Sequence, residues 1–216
     1  NERAATPLDS SGGATLPARR SQEITGSARQ ALGSSVVARG FVDYFSDVTV
    51  QQTFHTQVLE ASRRDRRVGG NVTGAWGSYN LSGTLDWNET FFDDTESTVH
   101  GSTPRVSFSQ AEQPLGRLPV YLSFGSRYTD LLRQRRSGDQ QSDTGLTRLD
   151  LSPVVRVPFT RWPFLTINSS VGWTGTYWTE RLDEQSGVQV EDGIARRYFN
   201  LRSQITGPVF GSAASI

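Results

Sequence analysis

The sequence predicts an all-β fold, an antiparallel transmembrane β-barrel segment with about nine strands of a larger barrel. Three observations predict it. Apolar and polar residues alternate over long segments, short and long connections alternate along the chain, and aromatic residues gather at the segment ends. Successive side chains of a strand point to opposite faces of a sheet, so the alternation indicates strands with one apolar and one polar face.

The composition bounds the class of protein. The 216 residues carry a formal net charge of zero, so the chain as a whole does not attract nucleic acid. It has no cysteine, which excludes disulfides, thiolate metal ligands and thiol nucleophiles from it. Its apolar runs are a few residues long, whereas a membrane-spanning helix needs about 20. It opens with Asn1-Glu2-Arg3, with neither Met nor an apolar leader, which favours an internal fragment.

The chain divides into three regions. Residues 1–34 are rich in Ser, Gly, Ala, Arg and Pro, and we expect a polar loop or disordered lead-in, with a short helix over 21–32 as an alternative. Residues 35–210 hold the barrel strands, and 211–216 form a truncated end. The predicted strands cover 36–44, 48–58, 68–76, 79–91, 99–109, 118–129, 148–159, 164–178 and 197–206.

The parity of each strand assigns its residues to a face. In the predicted strand over 164–178, Leu165, Ile167 and Val171 have odd numbers and therefore share one face. Thr166 and Asn168 have even numbers and share the other face. An arginine facing lipid costs about 2–4 kcal/mol at mid-bilayer, whereas a watery lumen tolerates it. The residues expected to face lipid are Leu81, Leu85, Val120, Leu122, Leu151, Val155, Ile167, Val171 and Trp173. The polar residues expected to face the lumen are Arg39, Asp43, Asp86, Arg105, Arg127, Arg148, Asp150, Arg156 and Arg202.

Glu89 departs from this sorting, because it has the parity of the apolar residues. It lies near a polar connection, so we expect it above the lipid.

The connections alternate in length. Gly77-Ser78, 114–117 and 160–163 are predicted tight turns, and 93–98, 133–145 and 180–193 are predicted polar loops. Outer-membrane barrels have short periplasmic turns and long extracellular loops, so the pattern favours a bacterial cell outer membrane over a soluble β-sandwich. Interfacial Trp and Tyr produce aromatic belts, and the expected girdle comprises Trp76, Tyr79, Trp87, Phe91, Tyr128, Phe159, Trp162, Tyr177 and Trp178.

Catalytic and metal-binding patterns are weak. His100-Gly101-Ser102 suggests a Ser-His pair, but the sequence shows no third orienting group, and His55 stands apart; we expect no enzyme. No metal-ligand spacing or phosphate-binding glycine loop occurs, so no cofactor is expected. Asp93-Asp94 with Glu96 indicates either a weak divalent-cation loop or a solvated acidic turn. The lumen arginines either pass a phosphorylated, sugar-bearing headgroup or brace the wall.

Several stretches carry a family resemblance. They are Gly40–Ser46, Gln52–Phe54, Ser102–Phe108, Leu118–Tyr121, Arg148–Pro153, Trp162–Leu165, Arg196–Phe199 and Gly207–Phe210. Over about residues 36–210 the chain resembles the lipopolysaccharide-assembly protein LptD family, also called organic solvent tolerance protein OstA. The match is a pattern of strands and turns.

The resemblance implies a very large outer-membrane barrel that receives lipopolysaccharide from a periplasmic bridge and releases it into the outer leaflet. It also implies membrane lipid, a plug lipoprotein (LptE-like) and bridge proteins (LptA-like) as partners, and no nucleic acid. The family's periplasmic jellyroll domain and cysteines are missing from this chain, and its lateral exit is not expected within it. Two alternatives stay open: another outer-membrane porin or transporter barrel, and a soluble secreted β-sandwich binding module.

Overall fold

The computed structural model describes residues 22–46, 64–93, 95–162 and 164–207, and the backbone of 2–3, 6–7, 15–16 and 19–20. Within these residues the regular structure is entirely β. The strands are β1 (Glu2–Arg3), β2 (Thr6–Pro7), β3 (Thr15–Leu16), β4 (Arg19–Arg20), β5 (Glu23–Ala31), β6 (Val36–Phe45), β7 (Asp65–Trp76), β8 (Tyr79–Phe91), β9 (Glu96–Pro114), β10 (Tyr121–Ser137), β11 (Gln140–Asp143), β12 (Leu146–Trp162), β13 (Leu165–Trp178), β14 (Arg181–Leu182), β15 (Gln189–Val190) and β16 (Ile194–Thr206).

Ten of these strands form one antiparallel sheet, which confirms the predicted all-β antiparallel class. Its order is β16-β13-β12-β10-β9-β8-β7-β6-β5, and β11 pairs with β10. Sheet neighbours are therefore neighbours along the chain, with two exceptions: β11 lies between β10 and β12, and the small β14–β15 hairpin lies between β13 and β16. The order runs from β5 to β16, and these two strands do not pair with each other in the described part of the chain.

The strands of this sheet are long. From β8 to β13, leaving out the short β11, they contain 13, 19, 17, 17 and 14 residues. Strands of soluble proteins usually have about 5–6 residues, and a tilted strand needs about 9–11 to cross a bilayer. Eight of the nine predicted strands are confirmed in position; the ninth, 48–58, lies outside the described residues, as do His55 and 211–216.

The predicted lead-in over 1–34 is wrong where β5 lies, and so is the alternative of a helix there. Glu23–Ala31 forms a nine-residue strand, paired along its whole length with β6 from Glu23↔Phe45 to Ala31↔Val37. Apolar residues do not recur at every second position of this segment, so the local sequence pattern did not predict a strand. The pairing with β6 supplies the backbone hydrogen bonds that make this polar segment extended.

The predicted loop over 133–145 is also wrong in form. β10 continues to Ser137, turns at Gly138 with φ of 59°, and pairs back through β11. The Thr144 N–H donates to the Arg133 carbonyl oxygen at 2.8 Å. This hairpin is polar on both faces, so its sequence lacks the alternation of apolar and polar residues from which the other strands were predicted. The connection predicted over 93–98 is shorter than expected, since β9 begins at Glu96.

The described residues contain hardly any buried apolar core. Phe45, 1% exposed, is the one buried apolar side chain among them. The chain divides into two compact units, residues 1–73 with 83–105 and 129–146, and residues 74–82 with 106–128 and 147–216. Each is described by itself below as the first and the second unit. No helix in the described residues is long and apolar enough to cross a bilayer.

Candidate functional site: the two faces of the sheet

The register of β12, β13 and β16 in the second unit sorts side chains by polarity. Val171 lies between Val155 on β12 and Leu201 on β16. One residue earlier, Ser170 lies between Arg156 and Arg202. Directly opposed residues of an antiparallel pair share a face. Apolar rows therefore alternate with polar rows across three strands, as the parity predicts.

The apolar face is open to its surroundings. Val171 is 46% exposed, and on β16 Phe199 and Leu201 are 76% and 75% exposed. Of the residues expected to face lipid, Leu81, Leu85, Val155 and Val171 are exposed and Val120, Leu122, Leu151, Ile167 and Trp173 are half-buried. None of these nine is buried, although apolar side chains of a soluble sheet are covered by a second layer.

Arg156 is the centre of a polar cluster in the second unit. Its Nε donates to Glu112 Oε2 at 2.8 Å, its Nη2 donates to Glu112 Oε1, and its Nη1 donates to Asn168 Oδ1 at 3.3 Å. The guanidinium carbon also lies 4.7 Å from the ring centre of Tyr121. The fork-to-carboxylate geometry braces β9, β12 and β13 together.

A second polar cluster lies toward the other end of β12. Arg148 donates from Nε and Nη2 to Asp150 Oδ1, at 3.1 and 2.9 Å, and Thr176 donates its hydroxyl to the same oxygen at 2.7 Å. Trp178 is opposite Arg148 in register, and its ring centre lies 5.5 Å from the guanidinium carbon. Trp178, predicted for the girdle, thus shares the polar face with Arg148.

In the first unit, the polar side chains of β8 pair with β9. Ser102 donates its hydroxyl to Asp86 Oδ1, and Asn88 Nδ2 lies 2.9 Å from His100 Nε2. The suggested Ser102–His100 pair is therefore not formed, because each residue bonds to a separate partner on β8. Ser102 therefore bonds to the Asp86 carboxylate and not to the His100 imidazole.

The polar parity of β9 changes along the strand. In the second unit, Ser82 Oγ lies 2.7 Å from Ser107 Oγ, and Ser82 has the same parity on β8 as Asp86. Asp86 bonds to Ser102, so on β9 the even-numbered Ser102 and the odd-numbered Ser107 both lie on the polar face of β8. A one-residue irregularity therefore lies between Ser102 and Ser107, which simple alternation over 99–109 did not predict. Arg105 falls within this interval and is exposed.

The other predicted lumen residues have separate places. Arg127 is exposed and lies close enough to Asp150 to interact with it electrostatically. Asp43 is opposite Thr25 in the β5–β6 register, and Arg39 is opposite Arg29. Arg202 is exposed and opposite Ser170.

An ion pair lies on the apolar face of the first unit and was missed by the parity argument. Arg66 Nε donates to Glu89 Oε2 at 2.7 Å, and Ser97 donates its hydroxyl to Glu89 Oε1 at 2.7 Å. The Arg66 guanidinium carbon lies 4.9, 5.3 and 4.8 Å from the ring centres of Tyr44, Trp87 and Phe91. The sequence did indicate an unusual residue, because Glu89 occupies a position of β8 at which the other residues are apolar. Its partner on β7 could not be identified from the sequence.

Aromatic rings gather beside the short turns of the second unit. Trp162 lies 5.3 Å from Phe159 and 6.2 Å from Phe164, with the second pair parallel within 2°. Tyr79 stacks on Phe108 at 6.0 Å. Among the predicted girdle residues, Trp76, Tyr79, Tyr128, Phe159, Trp162 and Tyr177 are exposed, whereas Trp87 and Phe91 are half-buried around Arg66.

The acidic segment after β8 forms a turn. Asp93 Oδ1 accepts hydrogen bonds from the backbone N–H groups of Thr95 and Glu96, at 2.7 and 2.6 Å, and from the Thr95 hydroxyl at 2.9 Å. The backbone N–H of Thr95 is the largest of the causes that hold the pKa of Asp93 below its usual value. No group of three His, Asp or Glu side chains able to hold a metal occurs in the described segments. The geometry fits the turn alternative.

Compared with protein-family models and with curated proteins, the chain matches none. The resemblance to the LptD family therefore stays a prediction from the sequence.

Proposed function

We propose that this chain is part of the wall of a bacterial outer-membrane β-barrel that inserts lipopolysaccharide into the outer leaflet. The observation that carries the proposal is the contrast between the two faces. Long antiparallel strands present ordered polar clusters on one face, while the apolar side chains of the other, such as Val171 and Leu201, stay uncovered. A bilayer supplies the cover that the described protein does not.

The magnitude of the hydrophobic effect supports lipid on this face. Burying apolar surface is favourable by about 25 cal/mol per Å², so a row such as Ile205, Leu201 and Phe199 is unfavourable in water. All three are at least 67% exposed. A contiguous apolar surface of this kind marks a membrane or protein interface.

The polar face supports a passage for a hydrophilic group. Arg156 and Arg148 are each held in a defined position by a carboxylate. Guanidinium groups bind phosphate through paired hydrogen bonds, and the neighbouring Ser170 supplies a hydroxyl. Lipopolysaccharide is the cargo that the family resemblance implies, with a plug lipoprotein and periplasmic bridge proteins as partners.

Spin labels test the lipid-facing wall. Because the chain has no cysteine, single labels can be placed by Val171→Cys and Val155→Cys on the apolar face, and by Thr174→Cys and Ser152→Cys on the polar face. In phospholipid vesicles we expect the first two labels to collide with oxygen and the other two with a water-soluble nickel chelate. Equal nickel accessibility for all four, or folding of the chain in buffer without lipid, would contradict a membrane wall.

Photocrosslinking tests the cargo separately. We expect p-benzoylphenylalanine at Thr174 or Ser152, in cells making the full-length protein, to form adducts with lipopolysaccharide that disappear when its synthesis is inhibited. The matched apolar-face position, Val171, is expected to keep its adducts with phospholipid under that treatment. If lipid labels behave as expected but the polar positions form no lipopolysaccharide adduct, the barrel has another cargo, as a porin does.

A further inference from the structure

A cavity of about 730 Å³ lies in the first unit, on strands β5 to β8. Arg29 and Arg39 both line it. We propose that these two arginines form an oxyanion-binding site for a phosphoryl group. The proposal does not depend on the cargo suggested above.

The register of β5 and β6 places the two arginines directly opposite each other. Like charges at such a position destabilise a strand pair unless something offsets them. Among the described residues, neither guanidinium forms an ion pair with a carboxylate. The two guanidinium groups therefore lie at the edge of one cavity without an ion-paired carboxylate. An anion that bridges them would stabilise this arrangement.

Asp86 also lines the cavity, and its Oδ1 accepts the hydroxyl of Ser102. In the described part of the chain it forms no ion pair with either arginine. Asn71 and Thr84 line the cavity too and offer an amide and a hydroxyl. These groups suit the hydroxyls of a ligand whose phosphoryl end is held by the arginines.

Glycines make room for this arrangement. A Cβ at position 70 would lie 2.9 Å from the Arg39 carbonyl oxygen, and one at position 69 would lie 2.8 Å from the Phe41 ring. The strands thus approach closely beside Arg39, and the 47% exposed Phe41 ring lies over the strand at the cavity. The volume exceeds that of inorganic phosphate, so we infer a phosphorylated, hydroxyl-bearing molecule as the full ligand.

Calorimetry on the full folded chain in neutral detergent tests the site. The probes are inorganic phosphate, glucose 6-phosphate, glucose, and micelles containing either phosphatidic acid or phosphatidylcholine. We expect glucose 6-phosphate to bind at least tenfold more tightly than glucose. Arg29→Gln and Arg39→Gln should each weaken phosphate and glucose 6-phosphate at least tenfold. Arg136→Gln, which removes an exposed arginine outside the cavity, should leave affinity within twofold.

The unfolding midpoint of each variant distinguishes a loss of binding from a failure to fold. In phosphate-free buffer we expect Arg29→Gln to raise the unfolding midpoint by relieving repulsion, and added phosphate to raise the midpoint of the unsubstituted chain but not of the variant. Binding of phosphatidic acid micelles identifies a lipid headgroup as the source, and binding of glucose 6-phosphate alone identifies a free phosphate ester; either supports the site. Affinity that is unchanged in both variants, or reduced equally by Arg136→Gln, would overturn it.

Discussion

Arg66 and Glu89 form an ion pair on the apolar face of the sheet, with 17% and 7% of their side chains exposed. The carboxylate also accepts the Ser97 hydroxyl, and three aromatic rings surround the guanidinium. Charges on a face of this polarity are tolerated only when they are paired and their hydrogen bonds are satisfied. The pair joins β7 to β8, and the aromatic rings shield it.

Removing one member of this pair should destabilise the chain strongly. Glu89→Ala leaves a shielded, unpaired guanidinium, and we expect the free energy of unfolding to fall by about 3–5 kcal/mol. Urea unfolding in phospholipid vesicles, followed by tryptophan fluorescence, measures it. The matched control is Arg135→Ala, which breaks the more exposed pair with Glu96 and should cost at most about 1 kcal/mol. Equal losses for the two variants would show that the aromatic surroundings do not matter.

Charge placement on β13 should depend on the face. We expect Val171→Arg to destabilise the chain in vesicles by about 2–4 kcal/mol, because its side chain enters lipid. Thr174→Arg is the control, since Thr174 lies opposite Tyr198 on the polar face. It should change stability by less than about 1 kcal/mol. The lipid-facing assignment fails if both substitutions have the same effect on the unfolding free energy.

Gly101 should not tolerate a side chain. A Cβ at this position would meet the backbone carbonyl oxygen of Asp86 on the adjacent strand, so Gly101→Ala pushes β8 and β9 apart. We expect a loss of about 1–3 kcal/mol or more in urea unfolding. Gly83→Ala on β8 is the control, because open space surrounds the position and its φ is ordinary. A tolerated Gly101→Ala would mean that β8 and β9 are not so closely spaced.

The Asp93 turn should respond to acid. Its folded-state pKa is lowered, chiefly by the backbone N–H of Thr95, so the stabilisation is present above the unfolded pKa and is lost as pH falls through the folded pKa. Carboxyl NMR titration of the full chain in micelles should therefore give a lower pKa than a peptide of residues 91–97. Thr95→Val removes the hydroxyl donor and should recover part of the difference. Identical values for chain and peptide would contradict the turn.

The long strands from β6 to β16 could be predicted because alternation is a local property. Leu165, Ile167 and Val171 carry their parity in the sequence, and the pairing of Ile167 with Phe159 and Ile205 keeps them on one face. The polar cluster around Arg156 follows from the same parity. Its partner Glu112 lies 44 residues away, and no local pattern identifies it.

By itself, the sequence determined the β class, the positions of eight long strands and most of the division between polar and apolar faces, since each depends on a repeat of two residues. Only the tertiary structure decided that 23–31 is a strand, that the polar parity shifts within β9 and that Arg66 neutralises Glu89. These features depend on which strand lies alongside and in which register. That pairing joins residues distant along the chain, so local periodicity does not contain it.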